Sequence, residues 1–492
     1  MKQQPIDYEP VRRSHSWSEK PAIWSENLGS IGGAAEKPGS LVSQTQVASL
    51  NSSRERNWIL RRGHFLSYVG LFLFTATVYF RPYELIPALS GATTMAYWLA
   101  VFTLVVFVPT QLGMEGTLTA RPREVNLVLL LGLCALLSIP FGDDIDRSWN
   151  AFADFSKVIL MFIVMVNVVR TERRLQGMFF LVLAVSVYLS VNAFSDYHAG
   201  ILKSDGYRVV GTISNMFSNP NDLALHLVTI APIALALLLS TRNVFMKIAY
   251  AVCAFLMVGA VTLTYSRGGF LGLSSAAAYL AWRLGRRKRF LTYGATVLAL
   301  TLFIAFAPGG YGKRVSEITG NDGSAMARTG DLKHSLLVML RHPLFGVGMT
   351  NYVLRSDTNT ATHNAYTQVG ADLGIMALVF YLMFMVTPFK RLRQIESETL
   401  ETRRREARFY YLAVGLQASL IGYMVSSFFA SVCYLWNVYY LVGYAVCLHR
   451  MYLAQQSVVT VDAVARSKAG RNGVRLDSLP VATTLPFTNA RT

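Results

Sequence analysis

Charge is scarce in this chain: only 15% of its 492 residues are Asp, Glu, Lys or Arg, against roughly a quarter in an ordinary soluble protein. That shortage excludes a soluble single-domain enzyme. Cysteine is scarce too. Cys134, Cys253, Cys433 and Cys447 all fall in apolar runs, without the paired spacing of a zinc or redox motif, and read as packed side chains. The first 60 residues lack an apolar stretch, so no cleavable signal peptide is expected and the first span serves as an uncleaved anchor. The alternation of apolar and polar residues that a β-barrel needs is also missing, since stretches such as 127–139 are continuously apolar. No internal repeat is evident.

What the chain does have is hydrophobic length. Apolar side chains make up 53% of it, and runs of about 17 to 22 residues recur from Leu66 to Tyr452, each enough to cross a hydrocarbon core of roughly 30 Å. An all-α polytopic membrane protein of about 12 transmembrane helices is expected, with spans near 64–80, 92–112, 125–141, 154–169, 176–195, 221–240, 245–264, 268–283, 289–307, 371–389, 408–428 and 430–451. Residues 63–452 form the transmembrane domain. The flanking segments, 1–62 and 453–492, have too little apolar periodicity for a core and read as disordered cytoplasmic tails.

The formal charge of +18 could indicate nucleic acid, acidic lipid or membrane topology. Its placement favours topology. Basic residues cluster in short stretches between spans: Arg170, Arg173 and Arg174; Arg283 to Arg289; Lys390, Arg391 and Arg393 with Arg403 to Arg408. With both termini cytoplasmic, these stretches lie inside, as the insertion rule requires. No nucleic-acid partner is expected, whereas membrane lipids are.

Two outside segments are long. One covers about 196–220; the other, between the ninth and tenth spans, covers 308–370, and loops of such length usually carry function. The larger contains Leu332, Leu336, Leu337 and Leu340 at helical spacing, flanked by Lys333 and Arg341. An amphipathic helix on the outer membrane surface fits this pattern.

Several residues could carry chemistry. Arg267, in Tyr265-Ser266-Arg267-Gly268-Gly269, sits between two apolar runs, where a charge either faces a polar cavity or partner or snorkels to lipid phosphate. Gly268 and Gly269 admit a ligand or another backbone. His363, in Thr362-His363-Asn364-Ala365-Tyr366, is either structural or a group able to take a proton near neutral pH. Arg81, Arg208, Lys313, Arg314, Arg328, Lys333, Arg341 and Arg355 are basic residues outside, against the insertion bias. Each alone reads as a headgroup contact; together they suit an anionic ligand, to which arginine's planar fork is matched. Asn219 and Asn221, in Asn219-Pro220-Asn221-Asp222, read chiefly as a helix start. Asp143, Asp144 and Asp146 could attract a divalent cation but read first as a solvated acidic turn.

In their order these pieces resemble the O-antigen ligase family, whose shared domain also occurs in some polysaccharide polymerases and protein O-oligosaccharyltransferases. The resemblance runs from Gly211-Thr212 and Asn219 to Ala224, through Tyr265 to Gly269, Arg328 and His342-Pro343-Leu344-Phe345-Gly346-Val347-Gly348, to His363-Asn364-Ala365-Tyr366 and Leu373-Gly374. It departs at Asp372, where relatives often carry glutamate. It implies a GT-C-like architecture in a bacterial inner membrane, with the site on the periplasmic face. It also implies transfer of a glycan from undecaprenyl diphosphate to an acceptor hydroxyl of a glycan or lipid A core, without metal or cofactor. It carries the base role onto His363 and diphosphate binding onto Arg267 and Arg328, with Asn364 beside them. Arg208 and Arg81 join the diphosphate set from charge placement alone.

A Wzy-type polymerase is the alternative within the family; protein glycosylation is less favoured, because no feature suits a folded polypeptide. A twelve-helix transporter of an anionic solute is a different class, disfavoured because the polar residues gather off-centre and the halves are unlike. A metal-dependent transferase using the aspartate cluster is a third.

Overall fold

The computed structural model describes residues 64–202, 208–213, 216–217, 219–285, 323–356, 360–400 and 407–471, with the backbone alone at 323–328 and 458–471. The tail 1–62, the expected span 289–307, Lys313, Arg314 and the end of the C-terminal tail lie outside them. Among the described residues every helix or strand assignment longer than one residue is helical. Eight helices among the described residues are long and apolar enough to cross a membrane. In chain order the α-helices are α1 Phe65–Phe80, α2 Pro82–Leu85, α3 Met95–Glu115, α4 Arg123–Ser138, α5 Ile145–Val168 and α6 Glu172–His198. They continue with α7 Pro220–Ser240, α8 Val244–Leu263, α9 Arg267–Leu284, α10 Gly323–Arg341, α11 Tyr352–Arg355 and α12 Ala365–Leu373. The last three are α13 Ile375–Thr399, α14 Ala407–Ser426 and α15 Trp436–Arg471.

Short polar side chains start the helices. Asp144 accepts from Arg147 N at 2.9 Å to open α5, Asn243 from Phe245 N at 2.9 Å to open α8, and Thr171 from Arg174 N at 3.3 Å to open α6. Each satisfies a backbone donor that the first helical turn leaves without a carbonyl. The Asp144 cap places the start of α5 well before the apolar run expected from 154. At Gly374 the backbone takes φ 90°, splitting a run expected as one span into α12 and α13. Three-residue links join α7 to α8 and α8 to α9, so these helices alternate in direction. The final helix continues past the expected span end to Arg471.

α14 lies at the centre, packed on α7, α9 and α13. Small residues make the approach possible. A Cβ on Gly415 would stand 2.9 Å from Pro232 O of α7, and one on Gly272 of α9 would stand 2.8 Å from Gly422 O of α14. α8 and α3 instead turn exposed apolar faces outward, with Phe245, Phe255 and Val105 among them, as lipid-facing helices do.

The end of the bundle where α9 and α13 finish is tied by buried charge. Glu124 pairs with Arg391 at 2.7 Å, and Arg283 pairs with Glu396, which also accepts from Gln417 at 3.1 Å. Tyr279 donates to the same glutamine at 2.6 Å. These contacts join α4, α9, α13 and α14 at the end opposite His363.

Gly272→Val would press an isopropyl group, three added carbons, against α14, where a Cβ alone already stands 2.8 Å from Gly422 O. We expect a loss of roughly 2 kcal/mol or more, within the usual cost of overpacking, read as a lowered midpoint of denaturation in detergent.

Candidate functional site

Three helix N-termini gather around one turn. The turn is the 3-10 segment Ser427–Phe429 that finishes α14. α7 starts there because α14 runs antiparallel to it, with Gly415 against Ala236 and Gly422 against Val228. α9 starts there by the same logic, with Gly272 against Ser426 and Tyr279 bonded to Gln417. α12 is tied to it by Tyr366, whose hydroxyl donates to Met424 O at 2.7 Å and accepts from Ser427 Oγ at 3.3 Å.

The starts of α7 and α9 share one polar network. Asn219 caps α7 by accepting from Asn221 N at 2.9 Å, with Pro220 at the first helical position, where its missing N–H is not needed. Asn221 is buried. Its Oδ1 accepts from Ser266 Oγ at 2.8 Å and from Arg208 Nη2 at 3.0 Å. Arg208 Nε also donates to Thr264 O at 2.9 Å. Ser266 in turn caps α9 through Gly269 N at 3.1 Å. Arg208 is thus held between the α8–α9 corner and the first turn of α7.

Arg267, the first residue of α9, is half-buried. The two glycines after it admit protein: a Cβ on Gly268 would lie 2.6 Å from Phe429 Cβ, and one on Gly269 would lie 2.6 Å from Ala224 Cβ. Ser426 Oγ donates to Gly268 O at 3.2 Å. The Arg267 segment therefore leans on the turn from one side.

The His363 segment approaches the turn from another. His363 itself is half-buried and left-handed, at φ 50°, a conformation that non-glycine residues adopt rarely and often at functional sites. Its neighbours hold it. Thr362 Oγ1 donates to Asn364 O at 2.8 Å and accepts from Asn364 N at 3.3 Å, and it reaches Ser431 Oγ at 3.5 Å. Asn364 caps α12 by accepting from Tyr366 N at 2.9 Å and Thr367 N at 3.2 Å. Both flanking side chains are buried.

The structure thus brings Arg208, Asn219, Asn221, Arg267, Gly268, His363 and Asn364 to elements that meet around one turn. Arg81 is set apart. It reaches the same end of the bundle, since Tyr79 of α1 packs on His226 of α7, but its guanidinium pairs with Glu84 at 2.7 Å. Arg328 lies in the first turns of α10, which packs on α12. Sequence reasoning named Tyr366 within the His363 motif but missed Ser426, Ser427 and Ser431 as the connecting groups. The signal of these three was a serine cluster inside what read as nearly continuous apolar sequence.

The segment after α10 is anchored on two sides. Val347 N donates to Ala371 O at 3.0 Å, and buried Asp372 accepts from Tyr352 N and Tyr434 Oη, each at 3.2 Å. Burial pushes the Asp372 carboxyl up to about 7 against those hydrogen bonds. Asn351 bonds Ser148 Oγ and the Asp144 backbone. Arg355 grips Asp143 through Nε at 2.6 Å and Nη2 at 2.8 Å, and donates from Nη1 to His342 Nε2 at 2.6 Å. Asp143 and Asp144 are therefore occupied as an arginine partner and a helix cap.

The Arg355 hydrogen bonds hold the Asp143 carboxyl below its ordinary range. A depressed acid contributes stability that is full above its unfolded pKa and lost as pH falls through the folded value. Proteolysis within 342–356 should therefore rise as pH drops below about 4, the ordinary carboxylate range. Asp143→Asn should show the raised cleavage already at neutral pH, with no further acid step.

Comparison with known proteins adds one match. Residues 252–382 match the family model described as O-antigen ligase. That stretch includes Arg267, Arg328, His363 and Asp372 and leaves out Arg81, Arg208 and Asn221. No curated protein matches the chain. The match runs from within α8 through α9, α10, α11 and α12 to the start of α13, and over that stretch the chain is similar to the O-antigen ligase family.

Proposed function

We propose that this protein is a membrane glycosyltransferase of the O-antigen ligase type. It moves a glycan from an undecaprenyl diphosphate carrier to the hydroxyl of a lipid A core or a second glycan, at the outer face of a bacterial inner membrane. The observation that carries this reading is the meeting of the His363 and Arg267 segments on the Ser427–Phe429 turn. Arginine clusters support the sidedness. Arg170, Arg174, Arg283 and Arg408 lie at helix ends remote from that turn, and Arg391 in the last third of α13; the insertion rule favours the cytoplasm for the side that carries them.

Diphosphate is already a competent leaving group, so the barrier lies in activating the acceptor and stabilising charge on the departing phosphate. His363 takes the acceptor proton as the hydroxyl oxygen bonds to the anomeric carbon. The bond from that carbon to the phosphate oxygen breaks, its electron pair leaves with the diphosphate, and attack opposite the leaving group inverts the carbon. General-base help of this kind is worth about 10² to 10⁴ in rate.

Arg267 and Arg328 hold the diphosphate, and Arg208 and Arg81 add further cations to the set. Three helix N-termini add partial positive charge in the same place. Guanidinium groups remain charged without titration, so the clamp needs neither metal nor cofactor. Such preorganised charge is commonly a larger contribution than the base itself.

Purified protein supplied with an undecaprenyl diphosphate glycan and either lipid A core or a second glycan should transfer to one of them, which also separates ligase from polymerase. His363→Ala should abolish transfer while the protein elutes and melts as wild type; wild-type transfer would remove His363 as the base. Arg267→Lys keeps a charge but loses the fork, and transfer should fall at least about tenfold. Unchanged turnover would assign Arg267 a structural part.

A further inference from the structure

α10 has two apolar faces, and the protein covers one of them. Ser335, Val338 and Met339 are buried, packed toward α12, where Met339 Sδ fills the space beside Gly370. The exposed positions are Lys333, Leu336, Leu337, Leu340 and Arg341, with Leu344 just beyond the helix. Their spacing of three and four residues makes one stripe. Leu340 is 59% exposed and Leu344 69%. A helix face turned to water would carry polar residues along this stripe; here cations stand near its ends and leucines fill its length.

The stripe is continuous with the exposed apolar face of α13, a helix long and apolar enough to cross a membrane. Pro343 O accepts from Ile375 N at 2.8 Å, and Gly374 sits against the Leu344 backbone, so Leu344 meets the first turn of α13. From there α13 carries its own exposed row: Ile375, Met376, Val379 and Met383. On the other side, Phe345 stacks on exposed Phe141 at 4.6 Å, at the finish of α4. Trp149, in the second turn of α5, is exposed as well, as aromatic residues at a membrane interface are.

We propose that the Leu336–Leu337–Leu340–Leu344 face of α10 docks into the headgroup and acyl boundary of the membrane, with Lys333 and Arg341 engaging anionic lipid phosphates. Leucines of this kind enter a few ångströms below the headgroups while flanking cations remain among them. The contact fixes the depth of α10, and with it the helix that bears Arg328. It stands independently of the transferase reading.

The test places benzoylphenylalanine at Leu340, and separately at Leu337, in the full-length protein in vesicles of phosphatidylglycerol and phosphatidylethanolamine. The same probe at Met376 of α13 serves as the lipid-facing reference. Irradiation should give phospholipid adducts at both α10 positions at a yield comparable to Met376. Lys333→Gln with Arg341→Gln should reduce the excess of phosphatidylglycerol among the α10 adducts, by up to about fivefold per cation removed. A cross-linked dimer would make the face an interface between copies, and an intrachain cross-link would mean another segment covers it. Either result, or no adduct while Met376 is labelled, overturns the proposal.

Discussion

The closeness of α14 to α7 and α9 is the constraint on which the site depends. Lipid tails are as apolar as leucine, so helices in a membrane associate through van der Waals contact, for which small residues allow backbones to meet. Gly415 and Gly422 of α14 and Gly272 of α9 occupy the crossing points, each with a carbonyl or a side chain where a Cβ would stand. The crossings set how far α14 runs before it ends, and hence where the Ser427–Phe429 turn lies. Gly268 and Gly269 extend this packing to the first turn of α9, beside Arg267.

Arginine contacts differ between the end where α9 and α13 finish and the surroundings of the turn. Where α9 and α13 finish, arginines meet carboxylates: Arg391 with buried Glu124, Arg283 with Glu396, and Arg170 with Glu115. Those pairs cancel one another and leave little for a ligand. Around the turn, Arg208 is fixed at 2.9 and 3.0 Å by a carbonyl and an amide oxygen, contacts that orient its guanidinium. Arg81 pairs with Glu84 instead, and charge placement along the sequence could not distinguish the two.

Hydrophobic length revealed most of the helices because continuous apolar runs report membrane-spanning segments directly. It failed where tertiary packing decides. The run expected from 430 begins its helix only at Trp436; Ala430, Val432 and Cys433 are apolar because they are buried within the protein, which hydropathy cannot separate from exposure to lipid. The motif around Arg267 was legible because serine, arginine and paired glycines are unusual between apolar runs. Asn221 was singled out as part of a helix start, but its bond to Ser266, 45 residues on, was not legible, nor was that of Ser427 to Tyr366, 61 residues before it. Asp143 and Asp144 looked like a free acidic turn because Arg355 and Asn351 are more than 200 residues away in sequence.

A loop can present a catalytic group when a rigid scaffold fixes its geometry. At His363 the neighbouring residues supply that fixing of the backbone. Asn364 is the cap of α12, so the helix cannot form its first turn without fixing the residue that follows His363. Thr362 then closes across the histidine onto both polar groups of the Asn364 backbone, which fixes the residue before it. Between these two anchors the backbone at 363 is held left-handed, at a cost of order 1 kcal/mol or more, and that cost is borne by the capping and packing of α12. The backbone at His363 is therefore coupled to the start of α12, and α12 is itself tied by Tyr366 to the turn against which the Arg267 segment packs.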